Sequence, residues 1–140
     1  MKARIRKDGD VTVVSLVGRL DFETAEPFRE TCQEMLINNK VVFNLQDLNF
    51  VGSSGIGAFV STLKEFSKSN PVRPRFCNVK SEFQKIFRST MDEGYDLYAN
   101  ENEALRSFLD PNIKPINLTF IEDDSDLEEV VDAQSSIERL

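Results

Sequence analysis

The sequence contains no histidine. That excludes every Ser-His or Cys-His nucleophilic mechanism. It also removes the commonest metal ligand and the commonest general acid or base at neutral pH. Cysteine is nearly as scarce. Cys32 and Cys77 stand far apart inside apolar patterns, without the neighbours of a metal site, and read as buried free thiols in a reducing cytoplasm rather than a disulfide. No apolar run approaches the ~20 residues that a bilayer-spanning helix needs. The opening Met1-Lys2-Ala3-Arg4-Ile5-Arg6 is charged, with no apolar stretch behind it, so no signal peptide is read. The expectation is a cytoplasmic chain without membrane insertion, metal or cofactor, and not an enzyme.

What is present is enough for one core. Of 140 residues, 40% are hydrophobic and 11 are phenylalanine. The net charge of −7 is unevenly placed. Residues 1–109 carry 15 acidic and 15 basic side chains, whereas residues 110–140 carry 9 acidic and 2 basic. This shift predicts a domain over 1–109 and an acidic extension over 110–140. The acidic balance argues against nucleic acid as a partner.

The order of elements reads as α/β. Ala3, Ile5, Val11 and Val13 alternate with polar residues around Asp8-Gly9-Asp10, which predicts a hairpin. Thr24 and Pro27 open a helix whose Phe28, Cys32, Met35 and Leu36 form one buried stripe. Lys40 to Leu45 reads as a strand, and the segment from Gln46 to Gly55 as a loop. Ile56, Phe59, Val60, Leu63 and Phe66 repeat at helical spacing. A strand over Arg75 to Val79 follows, then a helix from a Ser81/Gln84 capping box, with Phe83, Ile86 and Phe87 as its stripe. A short strand at Leu97-Tyr98-Ala99 and a helix capped by Asn100 complete the domain. Strands alternating with helices after an opening hairpin predict a mixed sheet of four to five strands with about four helices. The extension holds an alternating stretch, Ile116, Leu118 and Phe120. A capped amphipathic helix follows from Ser125, with Leu127, Val130 and Val131 in register. An isolated helix of that length is marginal in water. The extension is therefore expected to dock on its own domain, on a second copy as a homodimer, or on a partner. Lys2, Arg4, Arg6 and Lys7 form a basic edge, read as a solvated strand face.

The segment Gly52-Ser53-Ser54-Gly55-Ile56-Gly57 lies between a strand and the strongest helix. It is not a phosphate-binding P-loop, because Ala58-Phe59 follow Gly57 where Lys and Ser or Thr are needed. It is not a nucleophile elbow, because Ile56 stands where the second Gly belongs. Local chemistry alone makes Ser54 an N-cap of the helix and Ser53 ordinary loop polarity. Local chemistry makes Asp21 a cap of the first helix.

Two motifs taken together carry more. Gly18-Arg19-Leu20-Asp21, followed by Thr24-Ala25-Glu26, and then Leu45-x-x-Leu48-x-Phe50 ahead of Ser53-Ser54-Gly55-x-Gly57, resemble the STAS family, specifically the bacterial anti-sigma factor antagonists. The resemblance covers residues 1–109. It implies a STAS fold and a protein-interaction switch in a partner-switching pathway of transcription regulation. It implies phosphorylation at Ser54, with Asp21 close to it in space, and it implies Asp21, Gly52, Ser53, Gly55 and Ile56 at the partner-binding surface. The implied partners are an anti-sigma factor that is also a serine kinase of the ATP-binding, histidine-kinase-like fold, and a serine phosphatase. The family carries Asp where this chain has Gly52. That departure keeps a second reading open: a STAS scaffold or accessory subunit of a transport or stress-response complex, without phosphorylation.

Overall fold

The computed structural model describes residues 1–50, 55–91 and 95–116. Its frame is a mixed sheet. Strand β1 (Lys2–Asp8) turns at Gly9, where φ is +63°, into β2 (Val11–Leu20), its antiparallel partner. Glycine enters that region without the Cβ penalty that other residues meet. Strands β3 (Lys40–Asn44), β5 (Arg75–Cys77) and β6 (Asp96–Tyr98) join in parallel, in the order β1-β2-β3-β5-β6. A sixth strand, β4 (Leu48–Phe50), pairs in parallel with the far end of β2, beyond the stretch that β3 occupies. The sheet thus has one strand more than the sequence implied, because β4 is only three residues long and falls in the segment read as a loop.

Helices α1 (Ala25–Thr31), α2 (Ile56–Ser69) and α3 (Ser81–Thr90) alternate with the strands, and α4 (Glu101–Arg106) follows β6. Two clusters divide the two faces of the sheet. The larger packs Val14, Leu16, Phe43 and Phe76 from the strands against Phe28, Phe59, Leu63, Phe83 and Phe87 from α1, α2 and α3. The smaller packs Val11, Val13, Val42, Cys77 and Tyr98 against Ala104 of α4, with Phe108 and Ile113 beside it. Both cysteines are buried and free, as read from their apolar surroundings. Burial pushes each thiol up to about 12, so both stay protonated and unreactive at neutral pH. Among the described residues no helix is long and apolar enough to cross a membrane.

Two local expectations are corrected. The first helix does not bury the whole stripe Phe28, Cys32, Met35 and Leu36. Its continuation over Cys32–Leu36 is a π-helical turn, and widening the turn rotates the following side chains out of the 3.6-residue register. Cys32 and Leu36 stay buried, while Met35 swings out to 60% exposure. The second correction concerns α3. Its N-cap is Lys80, with no side-chain cap bond, so Ser81 and Gln84 form no capping box. The Gln84 side chain instead donates to the Val79 carbonyl at 2.9 Å. At α4 the expected cap is present, since Asn100 Oδ1 accepts from the Glu103 amide at 2.9 Å.

Candidate functional site

Two loops 30 residues apart in sequence meet because of how β2 and β4 pair. Gly18 stands opposite Leu48, Arg19 opposite Asn49 and Leu20 opposite Phe50. The Gly18 amide also donates to the Asp47 carbonyl at 3.0 Å, fixing the register where β4 begins. Since the two strands run parallel, both finish at the same end of the sheet. Open α/β sheets place their sites outside the carboxyl ends of parallel strands. Here β2 delivers Asp21, and β4 leads towards the start of α2.

Asp21 performs the capping role directly. Its Oδ1 accepts from the Thr24 amide at 2.9 Å and from the Thr24 hydroxyl at 3.0 Å. These bonds, the backbone one first, hold the Asp21 carboxyl below its ordinary range. They close a 3-10 turn over Phe22–Thr24 that runs into α1. The same turn packs on the start of α2. Gly55 caps α2 with φ +80°, and a Cβ placed there would lie 2.6 Å from both the carbonyl carbon and the carbonyl oxygen of Asp21. Only a residue without a side chain fits that contact. Asp21 is therefore a cap that also touches Gly55 of the second motif, while its expected closeness to Ser54 falls outside the described residues.

The N-cap of α2 is Gly55 rather than Ser54. Gly55 is buried under Asp21, and Ile56 is half-buried against the large cluster. Gly57 and Ala58, in the first turn, are exposed and small. Nothing lies within 4 Å of where a Cβ on Gly57 would be. Gly52, Ser53 and Ser54 lie outside the described residues. What the structure brings together is Asp21, Gly55 and Ile56.

One residue at this end escaped sequence reading. Phe22 is 72% exposed, although Phe43 and Phe76 in the strands and Phe28, Phe59, Phe66, Phe83 and Phe87 in α1 to α3 are buried. It follows Asp21 directly, and its amide nitrogen would sit 3.0 Å from a Gly55 Cβ. The available signal was an aromatic residue outside every helical stripe, inside the Asp21-to-Thr24 turn. An exposed aromatic beside small residues offers an anchor to a partner surface. The clefts alongside α1 are small by comparison. One of about 80 Å³ lies between α1 and α2, and one of about 120 Å³ is lined by Met1, Ala3 and α1 residues. Small-molecule sites usually need roughly 300–1,000 Å³.

These features agree with what the chain resembles. The model of the STAS domain matches residues 2–104, and the chain belongs to the STAS domain family. Among solved structures it is similar to an anti-sigma factor antagonist (STAS) domain protein from Planctomyces limnophilus. That match has 25% identity and a TM-score of 0.57, over 77% of this chain and 98% of that one. It also resembles the phosphorylated form of the Bacillus cell fate determinant SpoIIAA. There the identity is 21% and the TM-score 0.55, over 76% of this chain and 99% of that one. A further similarity is to the murine anion transporter Slc26a9, with 16% identity and a TM-score of 0.54. That match spans 71% of this chain and 18% of the transporter.

Proposed function

We propose that this chain is a partner-binding switch, set by phosphorylation at Ser54, and that it contributes no catalysis of its own. The observation that carries the reading is the seating of Gly55 against Asp21, which joins both family motifs at one end of the sheet. The partner is an anti-sigma factor that is also a serine kinase of the ATP-binding, histidine-kinase-like fold, and a serine phosphatase resets the switch. The resemblance to phosphorylated SpoIIAA supports this assignment. The chemistry of transfer belongs to the kinase, which brings ATP and its metal ion, and this chain supplies the accepting hydroxyl.

A phosphate adds about −1.5 to −2 charges. The surface next to Ser54 in sequence is apolar, with Gly57 and Ala58 exposed and Ile56 half-buried. A partner packed there would meet an unpaired charge, and burying it costs more than the contact returns. Ser54→Asp is expected to weaken partner binding by about tenfold or more, or roughly 1.4 kcal/mol. Ser54→Ala should leave it intact. Intact mass after incubation with kinase and ATP should rise by one phosphate in wild type and in Ser53→Ala, but not in Ser54→Ala. Phosphate found on Ser53 alone would move the site, and equal binding by Ser54→Asp and wild type would remove the electrostatic mechanism.

Phe22 provides a second test of the same surface. Because the ring is exposed, Phe22→Ser should leave the melting temperature unchanged. It should weaken partner binding about tenfold, as loss of an aromatic anchor does. Unchanged titration curves would place the partner elsewhere.

A different reading draws on Gly52, which replaces the Asp expected before the serines, and on the resemblance to Slc26a9, an anion transporter. Under it the chain is a constitutive scaffold or accessory subunit, and Ser54 is never phosphorylated. The mass measurement above separates the two.

A further inference from the structure

One face of the sheet is cationic where α4 does not cover it, and Phe108 and Ile113, which precede the acidic end in sequence, pack on that same face. Directly opposed residues of an antiparallel pair share a face. The β1–β2 register sets Arg6 opposite Val13, Arg4 opposite Ser15 and Lys2 opposite Val17. Val13 belongs to the cluster beneath α4. Lys2, Arg4 and Arg6 therefore stand on the α4 side. Arg6 makes the placement visible by pairing with Glu101, the first residue of α4. The chain after α4 remains on this side. Phe108 lies 4.0 Å beneath the Arg75 guanidinium, and Ile113 packs on the same cluster.

Helix α4 packs on β3, β5 and β6, and all seven residues of β1 are exposed. Among the described residues, Lys2 and Arg4 have no carboxylate at ion-pair distance. The complementary charge is at hand. Residues 1–116 hold 16 acidic and 16 basic side chains, while residues 117–140 hold eight acidic and one basic. Distance permits the pairing. Neighbouring strands are about 4.8 Å apart, so β1 lies roughly 10–15 Å from the central strands. Six extended residues beyond Ile116 span up to about 20 Å. That is enough to bring Glu122, Asp123 and Asp124 over Lys2 and Arg4. A tether this short also sets an effective concentration in the millimolar range, which favours docking in cis over docking on a second copy.

We propose that Glu122-Asp123-Asp124 docks in cis on Lys2 and Arg4 of β1, beside the Arg6–Glu101 pair, so that the C-terminal extension covers the open half of the sheet face. This site is independent of the switch at Ser54. An edge strand rich in Lys and Arg resists pairing with other chains. Here the same cations also receive the extension.

The test uses the full chain carrying Ser125→Cys with a nitroxide label. Cys32 and Cys77 are buried, so labelling goes to position 125. The expected result is selective loss of the Lys2–Asp8 amide signals at low salt. Recovery is expected near 1 M salt, where the Debye length is ~3 Å. Recovery is also expected in a Lys2→Glu/Arg4→Glu variant, whose remaining spectrum reports that it is folded. Loss that persists in that variant would show that these cations do not hold the extension. No loss, loss around Phe22 and Gly55 instead, or loss seen only between labelled and unlabelled molecules would each overturn docking in cis on β1.

Discussion

Gly55→Val is expected to destabilise the fold by about 4 kcal/mol, a large share of a typical stability of ~5–15 kcal/mol. Two terms add. At φ +80° a β-branched residue is held in a region it rarely adopts, at about 1–3 kcal/mol. The new side chain must also displace the Asp21 backbone, whose carbon and oxygen would lie 2.6 Å from the Cβ. Overpacking of that kind costs about 1–3 kcal/mol, and backbone yields less readily than a side chain end. The change should also push the Asp21–Thr24 turn away from α2, weakening partner binding in whatever fraction stays folded. Gly57→Ala is the matched control two residues on. Nothing lies within 4 Å of its Cβ, and its φ is not in the positive region. Alanine there should be neutral or stabilise the helix by about 0.5–1 kcal/mol. Urea midpoints for the two variants decide the matter. Similar midpoints would mean that the two loops do not meet through Gly55.

The features visible in the sequence were those with a repeat or a specific turn chemistry. The α2 stripe of Phe59, Val60, Leu63 and Phe66 is buried as its spacing implies. The hairpin followed from Asp8-Gly9-Asp10, and the α4 start from Asn100 with Glu103. What stayed hidden depended on tertiary context. Leu48-Asn49-Phe50 becomes a strand because β2 extends past β3 and offers a free edge, which no three-residue pattern announces. The π-helical turn at Cys32–Leu36 changes the period within one helix, so a single 3.6-residue template misplaced Met35. Within the site, Asp21 and Gly55 were identified by motif, but their contact follows from parallel pairing of β2 with β4. Phe22 was missed because exposure of an aromatic residue is a property of the packed turn and not of its neighbours in sequence.

Phe43→Ala is expected to cost about 3–5 kcal/mol, the range for emptying a fully buried phenylalanine site. Phe43 lies on β3, inside the sheet between β2 and β5, with no exposed surface. Its ring stacks on Phe76 at 5.4 Å and meets the rings of Phe66 at 5.8 Å and Phe28 at 6.3 Å edge-on. It thereby ties β5, α2 and α1 to one point. Each such aromatic pair adds about 0.5–1.5 kcal/mol beyond burial. A cycle with Phe76→Ala should therefore show a coupling of about 1 kcal/mol. A loss below about 1 kcal/mol in chemical denaturation would show that the ring does not occupy this cluster. The variant also reads out the switch. Of the proposed partner-facing residues, Phe22, Gly57 and Ala58 lie outside the cluster and Ile56 only borders it, so the folded fraction should keep most of its binding surface. A partner present at 100 times its dissociation constant should then restore about 2.7 kcal/mol to Phe43→Ala by mass action. Combined with Ser54→Asp, the same partner concentration should restore far less, because binding is the only source of the recovery. Equal recovery in both backgrounds would separate partner binding from position 54 while leaving the account of the core in place.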